Sequence, residues 1–351
     1  SVENLHVENA NFVATGQGNY SCVGGVAAVA FAASIENCTV KNSALESRRD
    51  NNNNCAGGVA GYSTGTTFKN CASISNNIQS MAYGGGFVGE NDDDYDGVGE
   101  SKYTDCYAVN CAVTAKTNGT SGTSFAGGFI GMIVSDIALT NCYAYKQTLS
   151  TEGTSAHDIA TGVFAAYFFT NGNTYTASIN TTNCYYGECT VITNVGSATK
   201  KTSEEFTDGT VADALGDAFT QGKDYPVFTP ADYTEVDAAI AKANALNKDN
   251  YKDFSAVEAA VNAVVRNKNI TEQRDVDAMA AAIKKAITAL QYKDADYTKV
   301  DEAIAKANAL NKDNYKDFSA VEAAVKAVVR DKNITEQSEV DAMAKAIEDA
   351  I

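Results

Sequence analysis

Residues 232–287, DYTEVDAAIAKANALNKDNYKDFSAVEAAVNAVVRNKNITEQRDVDAMAAAIKKAI, return as residues 296–351, DYTKVDEAIAKANALNKDNYKDFSAVEAAVKAVVRDKNITEQSEVDAMAKAIEDAI. The copies lie 64 positions apart and differ at nine: Glu235/Lys299, Ala238/Glu302, Asn262/Lys326, Asn267/Asp331, Arg274/Ser338, Asp275/Glu339, Ala281/Lys345, Lys284/Glu348 and Lys285/Asp349. None falls on the apolar stripes, which recur at helical spacing in three runs: Val236, Ile240, Ala243 and Leu246; Val257, Val261, Val264 and Val265; and Val276, Met279, Ile283, Ile287 and Leu290. Three amphipathic helices need one another to bury such stripes, so each copy is expected to be a three-helix bundle, a size at which one core is only marginally stable alone. Tandem copies of one module more often bind repeatedly than catalyse.

Local signals set the expected helix boundaries. Ser255-Ala-Val-Glu258 and its twin from Ser319 to Glu322 read as capping boxes at the start of the second helix. Thr234 and Thr271 stand where the first and third helices should begin, with a turn at Asn247-Lys-Asp-Asn250. The second copy lacks the counterparts of Thr288, Ala289 and Leu290, so the chain is expected to be a piece of a longer protein. The want of a signal peptide, transmembrane run or anchor motif then says nothing of its location.

Composition changes near residue 200. The first part is rich in Gly, Asn, Thr, Ser and Tyr and holds all nine cysteines, whereas the last part is rich in Ala, Val, Asp and Lys and holds none. Gly-Gly followed by an apolar strand recurs at Gly24-Gly25, Gly57-Gly58, Gly85-Gly86 and Gly127-Gly128, with a degenerate Gly162-Val163-Phe164. Each is followed by a second strand around a cysteine: Cys38, Cys71, Cys106, Cys142 and Cys184. These cysteines step by 33, 35, 36 and 42 residues, the period of a solenoid with variable loops, and imply a parallel β-solenoid of about five coils. Stacked coils place the five thiols about 4.8 Å apart in an internal ladder. Small thiols fill such a ladder well, in-register strands suit disulfides poorly, and the CxxC pairs of zinc sites are missing. Cys22 and Cys55 hold a second equivalent position, and Cys111 and Cys189, five residues after Cys106 and Cys184, are the pairing candidates if any exist. The expected organisation is a solenoid over 1–200, a cap and linker over 201–230, and bundles over 231–292 and 293–351, the second one truncated.

Gly85-Gly-Phe-Val-Gly89 together with Asn141-Cys-Tyr-Ala144 resembles the GLUG-motif repeats of bacterial surface and secreted proteins, over about residues 20–190. The passage from Thr202 to Phe228 resembles the short helix and terminal strand that close such arrays, and Pro226 and Pro230 are expected to stiffen the junction after it. Asp-Tyr-Thr, Ala-Asn-Ala-Leu-Asn-Lys and Asn-Ile-Thr-Glu-Gln in both copies resemble FIVAR repeats, three-helix modules of Gram-positive surface proteins and secreted hydrolases. The combination looks like a gut commensal's surface protein. It implies an extracellular protein, secreted or attached to the cell wall, with a host or matrix ligand.

The net charge of −17 argues against nucleic acid and direct membrane contact, both of which need basic patches. The two histidines, His6 and His157, lie in no metal or nucleophile motif, so no enzyme is expected. Asp92, Asp94 and Asp96 with Gly97 fit the first half of a calcium loop, but the twelfth position is Tyr103 rather than Glu, and a solvated acidic loop is the competing reading.

Two binding classes remain, beside a reading of the whole chain as a stalk. The bundles, with mixed charge, suit a host-protein contact. By analogy with tandem three-helix modules that bind immunoglobulins, the expected partner is an immunoglobulin Fab, contacted superantigen-fashion on the variable-domain framework. The candidate contact residues are those of the second helix and its flanks that both copies share: Tyr251, Lys252, Glu258 and Arg266, with Tyr315, Lys316, Glu322 and Arg330. Asp277 and Asp341 on the third helix complete the set. Alternatively, Tyr107, Tyr143, Tyr145, Tyr185 and Tyr186 form a platform for glycans, although the chain has no Trp and such tyrosines also pack coils.

Overall fold

The computed structural model describes all residues except 17–20, 49–53, 93–98, 118–123, 153–158, 169, 172–174 and 192–195. The chain forms two compact units, Ser1–Thr229 and Pro230–Ile351.

The first unit is a succession of short parallel strands, five to a coil. One coil shows the pattern: Ser34–Glu36 on face one, Thr39–Lys41 on face two, Ala44–Ser47 on face three, Asn54–Gly57 on face four and Ala60–Thr64 on face five. Each face continues as an in-register parallel sheet of at least five strands among the described residues. Ile35, Phe68, Tyr103 and Leu139 are successive rungs of face one, all buried. Phe68 stacks on Tyr103 with ring centres 5.0 Å apart, and Phe87 on Phe129 at 4.6 Å.

The recurring Asn-Cys pair is a corner rather than the middle of a strand. Asn4, Asn37, Asn70, Asp105, Asn141 and Asn183 all take left-handed φ values between 51° and 59°, a conformation that Asn and Asp tolerate and β-branched residues do not. The corner turns the chain from face one to face two. Its side chains stack outside as an amide ladder: Asn37 donates to Asn4 (3.3 Å), Asn70 to Asn37 (3.1 Å), Asn141 to Asp105 (2.9 Å) and Asn183 to Asn141 (2.8 Å). The following cysteine points inward, and Cys38, Cys71, Cys106, Cys142 and Cys184 form the expected buried ladder of free thiols. Each Sγ lies within hydrogen-bond range of the carbonyl two residues before it, as Cys71 does with Lys69 (3.2 Å). Cys22 pairs in register with Cys55 on face four, and Cys111 and Cys189 are free as well.

Gly-Gly makes the bend between faces four and five. A Cβ at Gly85 would stand 1.7 Å from the carbonyl oxygen of Val88, and one at Gly127 1.7 Å from that of Ile130, so the turn admits only glycine.

Residues after 200 form α1 (Ser203–Thr207), α2 (Thr210–Leu215) and a hairpin of Phe219–Gln221 with Pro226–Phe228. The side chain of Thr202 and the Glu205 carboxylate form a capping box at α1. This segment lies along the outer surface of face two rather than only across its end. Phe206, Val211, Leu215 and Phe219 pack there on Tyr107, Val109, Tyr143 and Tyr145. Phe206 is fully buried and stacks on Tyr145 at 4.0 Å, and the Tyr143 hydroxyl donates to the Pro226 carbonyl. Pro226 thus belongs to the cap hairpin, while Pro230 opens the second unit.

The second unit contains two three-helix modules. The first has α3 (Thr234–Asn244), α4 (Ser255–Asn262) and α5 (Gln273–Thr288); the second has α6 (Thr298–Asn308), α7 (Ser319–Lys326) and α8 (Gln337–Ala350). Val236, Ala239, Val257, Val276, Ala280 and Ile283 fill the first core, and Val300, Ala303, Val321, Val340, Ala344 and Ile347 fill the second. Among the described residues no helix is long and apolar enough to cross a membrane.

Two local expectations fail here. Ser255 and Ser319 are the first residues of α4 and α7, and their backbone N–H groups are held by Asp253 (2.8 Å) and Asp317 (2.9 Å), so neither forms a capping box. The capping boxes are Asn269 with Glu272 and Asn333 with Glu336, on the short 3₁₀ turns that lead into α5 and α8. Because α4 ends at Asn262, Val265 falls outside the expected stripe: it is 46% exposed, its counterpart Val329 45%.

Candidate functional site

All nine positions at which the modules differ are exposed in both copies, so the drift is confined to the surface. Part of it is electrostatically compensated. In the first module Lys284 pairs with Glu235; in the second, where both signs are reversed, Lys299 pairs with Asp341 (3.4 Å) and Glu348 with Lys306 (3.0 Å). Each exposed pair stabilises only weakly, on the order of 0.2–1 kcal/mol.

The surface along α4 and α7 is duplicated. A cleft of about 210 Å³ opens beside α4, lined by Ala243, Lys248, Phe254, Val257, Glu258 and Val261 among others. At its rim Lys248 pairs with Glu258 and lies over the Phe254 ring at 5.6 Å. The second module repeats this arrangement, with Lys312 paired to Glu322 and 5.5 Å over Phe318. Past the end of each helix, Tyr233 donates to the Val265 carbonyl (2.8 Å) and Tyr297 to that of Val329 (2.9 Å), holding both valines in one backbone setting. The structure thus adds Lys248, Phe254 and Val265 to the candidates. The sequence held no signal for the last, because Val265 reads there as a continuation of the apolar run through Val261 and Val264.

The ten candidate residues do not converge. Tyr251 is 8% exposed, stacked at 4.8 Å on Tyr292 of the segment that joins the modules, and Lys252 pairs with Asp294 of that segment (3.1 Å). In the second module Tyr315 is 45% exposed and Lys316 is exposed too. Arg266 and Arg330 stand at the opposite end of α4 and α7, over the rings of Tyr233 (5.2 Å) and Tyr297 (5.4 Å) and paired to Asp237 and Asp301. Those contacts raise both guanidinium pKa values, the carboxylate hydrogen bond first. Asp277 accepts from Gln273 (2.9 Å), and Asp341 takes Lys299 and Gln337. Glu258 and Glu322, read as caps from sequence, are instead the ion-pair partners of Lys248 and Lys312.

On the solenoid, the tyrosine platform is not open. Tyr107, Tyr143 and Tyr145 are buried beneath the cap, Tyr186 is buried in the solenoid core, and only Tyr185 remains partly exposed. Tyr107, Val109, Tyr143 and Tyr145 offered one apolar face, and Phe206 and Phe219 cover it because burying aromatic area on both sides is worth more than leaving it wet. Of the acidic run, Asp92 directly follows the face-five strand Val88–Asn91, its N–H donating to the Ser63 carbonyl (3.0 Å), while Asp94 and Asp96 lie outside the described residues, as does His157. No cluster of three metal-ligating side chains occurs among the described residues.

Face five carries a buried carboxyl, Glu90. Glu90, on face five in register with Tyr62 and Met132, is 6% exposed and accepts from the Cys55 thiol at 2.9 Å. Burial pushes its carboxyl up to about 7, against the lowering effect of the Cys55 hydrogen bond. A lone Glu in the apolar run Phe87-Val-Gly-Glu90 was the available signal.

Residues 19–44 match the GLUG motif. They carry the chain through the Gly24-Gly25 bend and the Asn37-Cys38 corner, two features that recur along the solenoid. The match and the β-solenoid agree for the repeat region, and a GLUG motif is compatible with a bacterial extracellular protein. No curated protein and no solved structure matches the chain.

Proposed function

We propose that the chain is a non-enzymatic bacterial surface or secreted protein whose helical modules, of FIVAR type, bind a host protein, with the variable-domain framework of immunoglobulin Fab as the first candidate. The observation that carries this reading is duplication of one surface. The Lys248/Phe254/Glu258 rim and Val265 recur as Lys312/Phe318/Glu322 and Val329, while charges elsewhere reverse sign. Two identical sites on one chain hold a multivalent target by effective concentration rather than by single-site affinity.

Val265 and Val329 are better probes than the arginines, since replacing Arg266 also removes its contacts with Tyr233 and Asp237. Fab is expected to bind the intact chain at two equivalent sites, and Val265→Asp with Val329→Asp to weaken it at least tenfold. Unchanged binding by the double variant would remove this surface from consideration. The stalk reading draws support from the segment joining the modules, which is hydrogen-bonded to both: Lys252 N–H to the Gln291 carbonyl, and Ile334 N–H to the Lys293 carbonyl, each at 2.9 Å.

A further inference from the structure

Outward-pointing side chains of faces four and five meet in a second cluster beside the solenoid core. Val23 and Ala56 point into the core, so Cys22 and Cys55, the residues before them on face four, point outward. Cys55 is fully buried there among Tyr62, Tyr83, Phe125 and Met132, whereas Cys22, packed against the same cluster, is half-buried. The two cysteines are partners in register on neighbouring parallel strands. Such strands lie about 4.8 Å apart, inside the range of Cα separations that a disulfide spans, about 4.4–6.8 Å.

Glu90 reaches the same place from face five and accepts from the Cys55 thiol at 2.9 Å. A carboxyl buried between Tyr62 and Met132 costs folding energy, and the group it faces is a thiol. Burial first, and the Cys22 thiol and the Glu90 charge after it, push Cys55 well above the ordinary thiol value, so Cys55 has to lose its proton before it can react. A carboxyl that titrates near 7, in hydrogen-bond contact with that proton, is matched to removing it at neutral pH.

We propose that Cys22, Cys55 and Glu90 form a thiol–disulfide exchange site whose substrates are low-molecular-weight disulfides. Cys22, the more accessible sulfur, attacks one sulfur of the disulfide; the S–S bond breaks, and one small thiol leaves with the Cys22 proton. Glu90 then takes the Cys55 proton as the Cys55 sulfur attacks that of Cys22, and the second small thiol leaves and takes up that proton. The chain ends with a Cys22–Cys55 bond, and two electrons have passed to the small disulfide, which is now two thiols. Side chains on in-register strands point the same way and suit a bridge poorly, so the bond is expected to be readily reduced and the site to run in both directions. The site lies on the first unit and does not rest on Fab binding by the second.

The test is incubation of the intact, folded 351-residue chain with excess oxidised glutathione, followed by non-reducing peptide mapping by mass spectrometry. A Cys22–Cys55 link is expected, with the other cysteines still thiols. Cys189, the other half-buried thiol, is pushed up to about 11 by burial and donates to the carbonyl oxygens of Ala144 and Gly187, so it should stay unmodified. Cys55→Ser should stop at glutathione joined to Cys22. Glu90→Gln should form that mixed disulfide but close the bridge about a hundredfold more slowly at neutral pH, and lose the inflection near 7 in the closure rate. Among the described residues, the other titratable groups around Glu90 are Cys22 and Tyr83 from face four, Tyr62 from the neighbouring coil, and Asp92 two residues along. The parent's map decides the bridge even where a variant fails to fold. A parent that stays fully reduced, that keeps glutathione on Cys22 without closing, or that reacts at Cys189 instead would overturn the proposal. So would a Glu90→Gln variant that closes as fast as the parent.

Discussion

Glu90→Gln is expected to stabilise the solenoid above neutral pH and to leave it nearly unchanged in mild acid. In the unfolded chain this carboxyl titrates at its ordinary 4.5; in the folded chain burial holds it near 7. Between those values the unfolded chain has released the proton that the folded chain retains, so folding stability falls as pH rises from 4.5 to about 7. Above 7 both states are ionised and the penalty stays constant. A displacement of that size corresponds to about 3 kcal/mol, at 1.36 kcal/mol per pKa unit. Gln keeps the volume and an oxygen to accept from the Cys55 thiol, and it removes the charge. Urea unfolding of both proteins at pH 5 and pH 8, with a side-chain carboxyl NMR titration of Glu90, gives the comparison. The gain of the variant over the parent should be larger at pH 8 by about 2.5 kcal/mol, since the unfolded carboxyl is already largely ionised at pH 5. An equal difference at both pH values, or a carboxyl that titrates below 5, would refute the reasoning.

Phe206→Ala removes the fully buried ring stacked on Tyr145, so the cap should lose about 3–5 kcal/mol of packing. Limited proteolysis should then cut within residues 203–229, which stay intact in the parent; an unchanged digest would contradict the lateral packing of the cap. Gly85→Ala drives a methyl group to 1.7 Å from the Val88 carbonyl and should cost about 3 kcal/mol or more in thermal melts. Gly16→Ala, with no atom of the described residues within 4 Å of the added carbon, should melt like the parent.

Much of this architecture could be read from residues. The solenoid period was visible in the cysteine spacing because each Asn-Cys corner must recur once per coil for its side chains to stack. The number of strands per coil was not, since three-residue strands separated by left-handed corners are too short to show alternation. A second corner, at Asn9, Asn42, Ser75, Asn110, Lys146 and Glu188, uses residue types too varied to mark it in sequence. Helices α3 and α5 were legible from their stripes and from Thr234, whereas α4 ended early and its start was assigned to the wrong cap. The cap's placement over Tyr107 and Tyr143 and the covering of Tyr251 by Tyr292 depend on contacts between distant segments, 83 residues apart for Tyr143 and Pro226. Local pattern carries no trace of such pairings.

Host-protein binding by the tandem modules is tested most directly by titrating the intact chain with immunoglobulin Fab and reading affinity and stoichiometry by calorimetry. Two equivalent sites with a Kd of about micromolar or tighter are expected, one for each copy of the α4-type surface. A flat titration at about 10 µM, ten times that Kd, would contradict the proposal, as would a single site outside the second unit.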